Sequence, residues 1–420
     1  MTRPRKRLRV GLLLGLLGGA VVMAVAVFAV HRFQVDRNAG GLASLAREKL
    51  EQGRTDEALG LFARYLSYRP DDGPTHAEFA RLVVDKAERP GAKDRERRYA
   101  YNVLEVAVRK NPDDIPLRTR LAEWMLRFGR YGDAAAELTV IEERRTAADP
   151  TATDQATIGT MRARALTGLG KYQEAAASVA AIIGFDLGTK SFRDIPLPAS
   201  DTRAVEATGI LAALLDEKLD DGAAAKRVLE HLTATRPDEF RGWIILSDWQ
   251  RTHGDLPAAA KSAAVAARLA PEAGEVLFTN LQIAVDEGRL DVAKQLAGKA
   301  RDTFPHDDRG YRGLAAVAVQ ERDFATAARV LQEGLAENPG NPRLLLVLAD
   351  IELQAGRLAE AAEAVATLAK QGDKNPAVGL LEARLLVARR QWLAARQKLD
   401  EVRPLVASSA AMTKDRKSVV

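Results

Sequence analysis

Residues 252–273 read THGDLPAAAKSAAVAARLAPEA, and the order of residue types in this stretch decides the fold. Gly254 can supply the positive φ that ends one helix. Ala259 is small enough for two helices to approach closely, and Pro271 cannot continue the second helix, so it suits a connector. The arrangement recurs. Ala225, Ala259, Ala293, Ala327, Ala361 and Ala395 are 34 residues apart throughout, and Pro237, Pro271, Pro305 and Pro339 each follow their alanine by 12. Gly254, Gly288 and Gly356 precede theirs by five, while Arg322 and Arg390 occupy two further such sites. Three residue types do not share one register by chance. Each unit is therefore a helix, a short turn and a second helix. Such a pair cannot bury its own apolar face, so successive pairs must stack.

Composition agrees. Only 5% of the 420 residues are aromatic, so alanine and leucine must supply the packing, which favours close-packed helices over a β-sandwich. Earlier units follow the register more loosely: Gly53-Arg54-Thr55-Asp56-Glu57-Ala58 with Pro70, Ala100 with Pro112, Gly129 with Ala134, and Gly170 with Ala175. A basic loop at Arg89–Arg95 precedes Ala100. The linker Gly184–Ser200 is long for the pattern; it is a binding loop or, more simply, a tolerated insertion.

The repeat resembles the tetratricopeptide repeat family in its length and its motif. Trp243, Leu246, Gly254, Ala259 and Pro271 stand where that family has its tryptophan, leucine, glycine, alanine and proline. The resemblance covers about residues 42–404 and implies an all-α, right-handed α-solenoid of about ten helix-turn-helix repeats. It also implies that the first helix of each pair lines a concave surface holding a peptide or another protein. Ten residues before each glycine position lie Ile210, Ile244, Phe278, Arg312, Leu346 and Leu380, and four further on lie Leu214, Asp248, Gln282, Ala316, Asp350 and Arg384. The basic and asparagine-rich clamp of chaperone-binding members is missing here, so capture of a C-terminal carboxylate is not expected. An apolar stripe with scattered charge suits an amphipathic helix or an extended apolar segment. Packing against neighbouring helices is the plainer role for the same residues.

The net charge of +5 comes from the chain ends. Arg3, Arg5, Lys6, Arg7 and Arg9 account for all of it, which leaves no basic stripe for nucleic acid on the repeats. Cysteine is absent, which excludes disulfides, zinc–thiolate sites and a cysteine nucleophile. His31, His76, His231, His253 and His306 are scattered without metal-ligand spacing, and no phosphate-binding loop or nucleophile elbow occurs. Acidic pairs such as Asp220-Asp221 and Asp307-Asp308 fall at turns and helix starts, where capping explains them. No catalytic, cofactor or metal site is expected.

Residues 10–30 are uncharged over about 31 Å of helix, enough to cross a bilayer, and the basic residues 1–9 before them predict a cytoplasmic N-terminus. A cleaved signal peptide is the competing reading, with Ala24-Val25-Ala26 as its cleavage site. The expected organisation is a basic N-terminus (1–9), an inner-membrane anchor (10–30), a linker (31–41), periplasmic repeats (42–404) and a tail (405–420). Gly11, Gly15 and Gly19 share one face of the span and could pair two copies. Residues 415–420 (DRKSVV) read as a translated sequencing adapter, so the natural chain is expected to continue past about Lys414. The function expected is a non-catalytic scaffold that binds partner proteins in assembly of a bacterial envelope complex: export, cytochrome maturation, outer-membrane or polysaccharide machinery. The alternative is the substrate-binding region of a larger transferase or protease.

Overall fold

The computed structural model describes Met23 and residues 39–89, 91–148, 155–193, 202–370 and 376–414. These form twenty helices and one small hairpin. In chain order they are α1 (39–51), α2 (Thr55–Tyr68), α3 (Gly73–Ala87), α4 (Asp94–Lys110), α5 (Ile115–Arg127), α6 (Tyr131–Ala148), α7 (Gln155–Gly168) and α8 (Tyr172–Ile183). Then come β1 (Phe185–Asp186), β2 (Ser191–Phe192), α9 (Thr202–Glu217), α10 (Gly222–Thr235), α11 (Phe240–Thr252), α12 (Leu256–Leu269), α13 (Gly274–Asp286) and α14 (Leu290–Thr303). The last six are α15 (Asp308–Gln320), α16 (Phe324–Glu337), α17 (Pro342–Gln354), α18 (Leu358–Lys370), α19 (Pro376–Ala388) and α20 (Trp392–Lys414).

The chain divides into two compact units, residues 1–169 and 170–420. In the first, α3 packs on α4 and α5 on α6, around Phe62, Leu104 and Trp124. In the second, α9 with α10 through α19 with α20 form consecutive pairs, and the first helices of successive pairs also touch one another from α9 to α19. The register alanines explain the closeness: Ala225, Ala259, Ala293, Ala327 and Ala361 are completely buried at the crossings. Larger residues fill the space between pairs, with Leu331 of α16 against Leu344 and Leu348 of α17. Burying such a side chain contributes roughly 2 kcal/mol. Helix starts are fixed by carboxylates: Asp114, Asp221, Asp255 and Asp323 each accept a hydrogen bond from a backbone N–H three residues on.

All six turn positions of the regular units take positive φ, although only Gly254, Gly288 and Gly356 are glycines; Asp220, Arg322 and Arg390 adopt φ of 53°, 62° and 60°. At the three glycines and the two arginines the backbone hydrogen bond that follows is the same, whereas after Asp220 the Asp221 N–H reaches one residue further back, to the Leu215 carbonyl. The Asp255 N–H reaches back to the Gln250 carbonyl at 2.9 Å, and the Asp323 N–H to the Ala318 carbonyl at 2.8 Å. A side chain in this region costs roughly 1 kcal/mol that glycine avoids. Arg322→Gly should therefore raise the urea midpoint slightly, by a stability gain of at most about 0.5 kcal/mol once glycine's greater unfolded-state entropy is subtracted. An unchanged or lowered midpoint would show that contacts of the arginine stem offset the strain.

Within the long linker, Phe185–Asp186 and Ser191–Phe192 pair as the antiparallel β1–β2 hairpin, a departure from the all-α expectation. Asp186 accepts from the Gly188 and Thr189 N–H groups at 2.9 and 3.0 Å and from Arg193 at 2.8 Å. The Arg193 hydrogen bond, helped by those two backbone donors, holds its carboxyl down to about 2. Lys190 lies 2.5 Å from Asp221, the cap of α10, and the Phe192 ring stacks on His231 of α10 with centroids 3.5 Å apart. Burial pushes the His231 imidazole below its ordinary value of 6.5. The unfolded chain then binds more protons than the folded one between that depressed value and 6.5, so stability rises with pH across this window and falls on acidification. Denaturation midpoints measured from about pH 7.5 down to about pH 5 should decline less in His231→Gln than in the parent chain. Equal slopes would remove His231 from the account.

One expectation changes here. Among the described residues no helix is long and apolar enough to cross a membrane, which overturns the placement of the chain as a single-pass inner-membrane protein with periplasmic repeats. The stretch 10–30, including Gly11, Gly15 and Gly19, lies outside the described residues apart from Met23, as do residues 415–420. The last helix, α20, runs through Pro404 to Lys414.

Candidate functional site

The first helices of the second unit bring one face of each pair side by side. Two adjoining cavities lie along this row. One, of about 480 Å³, is bounded by α13, α15 and α17; the other, of about 350 Å³, by α17 and α19. Val347 and Asp350 line both, so the two form one trough.

Of the residues picked by register, Phe278, Gln282, Arg312, Ala316 and Asp350 line the larger cavity, and Leu346, Asp350, Leu380 and Arg384 the smaller. Leu380 is 40% exposed, a large apolar side chain open to solvent. The four earlier positions lie elsewhere. Leu214 is buried at 4% exposure, Ile210 and Ile244 are half-buried, and Asp248 is exposed. Asp248 pairs with Arg251 at 2.8 Å, and Arg251 also reaches Asp286 at 3.0 Å. Burial alone would depress the Arg251 guanidinium, but the hydrogen bonds it donates to Asp248 and Asp286 outweigh this and raise its pKa.

The register missed lining residues on the same helix face. Counting from the first set, the trough also uses the next residue (Gly313, Val347, Leu381), the seventh (Val285, Val319) and the eighth (Gln320, Gln354). Offsets of 1, 4, 7 and 8 belong to one stripe at 3.6 residues per turn, so extending the stripe by one turn would have found them. Arg309 was also missed; its guanidinium sits 3.5 Å from the centroid of the Phe278 ring.

The charges in the trough are paired. Arg309 meets Asp307 at 2.7 Å, Arg312 meets Asp308 at 2.6 Å, and Arg384 donates to Asp350. The Arg309 hydrogen bonds hold Asp307 below the usual carboxylate range. The floor between them is apolar: Leu281, Val285, Ala316, Val319, Val347 and Ile351.

The corresponding face of the first unit is polar. Glu88 accepts from Trp124 at 3.0 Å and Arg127 at 2.9 Å, and from Arg120. Burial lifts the Glu123 carboxyl above its ordinary value against the pull of Arg120 and Arg127. Among the described residues no group of three histidine, aspartate or glutamate side chains could hold a metal ion.

Residues 318–408 match the tetratricopeptide repeat family. No curated protein matches the chain. Among solved structures, the chain is similar to a tetratricopeptide repeat protein from Parabacteroides merdae, at 15% identity, covering 75% of this chain and 98% of that one, with a TM-score of 0.44. It is similar to yeast Tom70 at 16% identity, covering 87% and 85%, with a TM-score of 0.40. It is also similar to a thermophilic repeat protein of the same kind from Thermus thermophilus, at 20% identity, covering 44% and 98%, with a TM-score of 0.38. Likenesses this weak transfer no ligand, partner or activity.

Proposed function

We propose that this chain, which matches the tetratricopeptide repeat family over residues 318–408, is a non-catalytic scaffold that binds partner proteins through the trough formed by α13, α15, α17 and α19. The observation that supports this reading is the adjoining pair of cavities, apolar in their floors and rimmed by polar side chains. That combination is the usual make-up of a site that takes part of another molecule. The paired acids and bases have a structural use, since Asp350–Arg384 ties α17 to α19.

The test fills the trough. Ala316→Trp places an indole in the larger cavity and Val347→Trp occupies the boundary of both. Partners captured by the full chain from the cells that express it should be lost from both variants and kept by Lys299→Glu on α14, with helical content unchanged in each. Direct titration of each purified partner then checks the loss. Partners retained by both tryptophan variants would place the binding surface elsewhere.

A further inference from the structure

Resting on that reading, we infer that the trough takes an extended, uncharged, apolar segment of a partner protein, whose main chain is held by the carboxamides of Gln282, Gln320 and Gln354. Three observations converge on this ligand.

The first is electrical. Each charged side chain lining the larger cavity already has a partner within the chain: Arg309 with Asp307, Arg312 with Asp308, and Asp350 with Arg384. An acidic or basic ligand would have to break one of these pairs or surrender its own hydration without a counter-charge, and both are unfavourable. A neutral segment does neither.

The second is the floor, where the half-buried Val285, Ala316, Val319 and Val347 gain from covering by apolar groups. The third is the set of carboxamides. The Gln282 amide donates to Asp286 at 2.9 Å, Gln354 donates to Asp350 at 2.6 Å, and Gln320 reaches the Val285 carbonyl at 3.5 Å. One N–H of each is thereby tethered, which orients the side chain. The carbonyl oxygen and the second N–H remain, together one acceptor and one donor. Those are the complements of a peptide group. An extended chain offers its N–H and C=O groups sideways, whereas a helix has already used them internally. A bound helix would cover three carboxamides without satisfying them, at a cost for each. The structure therefore favours an extended segment over an amphipathic helix.

The experiment uses the full chain and fluorescence anisotropy with four end-capped, fluorescein-labelled peptides of equal length. One alternates leucine and threonine; one is the same peptide with alternate amides N-methylated; one has the threonines replaced by glutamate; one is a neutral alanine–leucine–glutamine helix former. The plain leucine–threonine peptide should bind most tightly. Gln282→Ala, Gln320→Ala and Gln354→Ala together should weaken it about tenfold or more, and N-methylation should weaken it similarly on the parent chain. The N-methylated peptide should be nearly indifferent to the triple substitution, a pattern that general loosening of the fold would not produce. Ala316→Trp should abolish binding of all that bind.

If the acidic or helical peptide binds more tightly and Ala316→Trp still abolishes it, the trough is the site but the inferred ligand is wrong. If peptides bind and Ala316→Trp changes nothing, the trough reading itself falls. If the plain peptide does not bind at all, the inference is overturned, and the trough stands or falls on the captured partners described above.

Discussion

Gly310→Ala is expected to destabilise the second unit by about 2–3 kcal/mol, although alanine is the better helix former. Gly310 lies in the first turn of α15, where that helix crosses the end of α14. A Cβ built there would come within 2.6 Å of the Arg301 backbone nitrogen, 2.9 Å of its Cα and 3.0 Å of the Ala300 carbonyl carbon. Backbone cannot rotate aside as a flexible side chain would, so the two helices must separate. Gly298 of α14 supplies the control, because a Cβ there meets nothing within 4 Å. Gly298→Ala should stabilise by roughly 0.5–1 kcal/mol, through helix propensity alone. Urea unfolding of the two variants should therefore move the midpoint in opposite directions. Shifts of the same sign would mean that the α14–α15 crossing yields more easily than its distances indicate.

Removing Arg357 should cost as much or more. Glu352, on α17, is only 2% exposed, and the Arg357 guanidinium donates to its carboxylate. Arg357 also donates to the Phe324 carbonyl at 3.3 Å and, through its backbone N–H, to the Glu352 carbonyl at 2.9 Å. Arg357→Ala leaves a buried carboxylate without its partner, a change that costs about 3 kcal/mol. Replacing both residues by methionine removes the charge together with its need for compensation, and should cost much less than the single substitution. Chemical denaturation of Glu352→Met, Arg357→Met and the double methionine variant closes the cycle. Additive losses would show that Glu352 and Arg357 are not energetically coupled.

These sites also show where the sequence was legible. The 34-residue column of alanines is visible because small residues at a repeated crossing are needed in every unit. The stripe of groove residues is visible because a helix face repeats on the same period. Gly310 was not legible. The equivalent residues are Gly242, Val276, Leu344 and Val378, and which of them touches backbone depends on how each pair leans on the last. Arg322 and Arg390 read as departures from the glycine column, yet the chain takes the same positive φ there, since the reach-back hydrogen bond is made by backbone whatever the side chain. Glu352 left no such trace, because its column also holds Asp216 and Gln250 beside Ala284, Ala318 and Leu386, and the sequence does not say which polar member is buried. The hairpin after α8 left little, because two-residue strands have no periodicity to detect. The glutamines at 320 and 354 were legible in principle, one helical turn beyond the positions chosen.

The contacts between pairs all have short reach along the chain. Arg251 meets Asp286, Arg384 meets Asp350, and Arg357 meets Phe324, each about one repeat away. No long-distance closure is needed to complete the second unit, so a pair can be regarded as a cassette. Copying or excising 34 residues in register would lengthen or shorten the trough by one helix width while leaving every remaining contact with its proper neighbour. The size of the surface offered to a partner is thus set by copy number, and it can change in evolution or by design without renegotiating a common core.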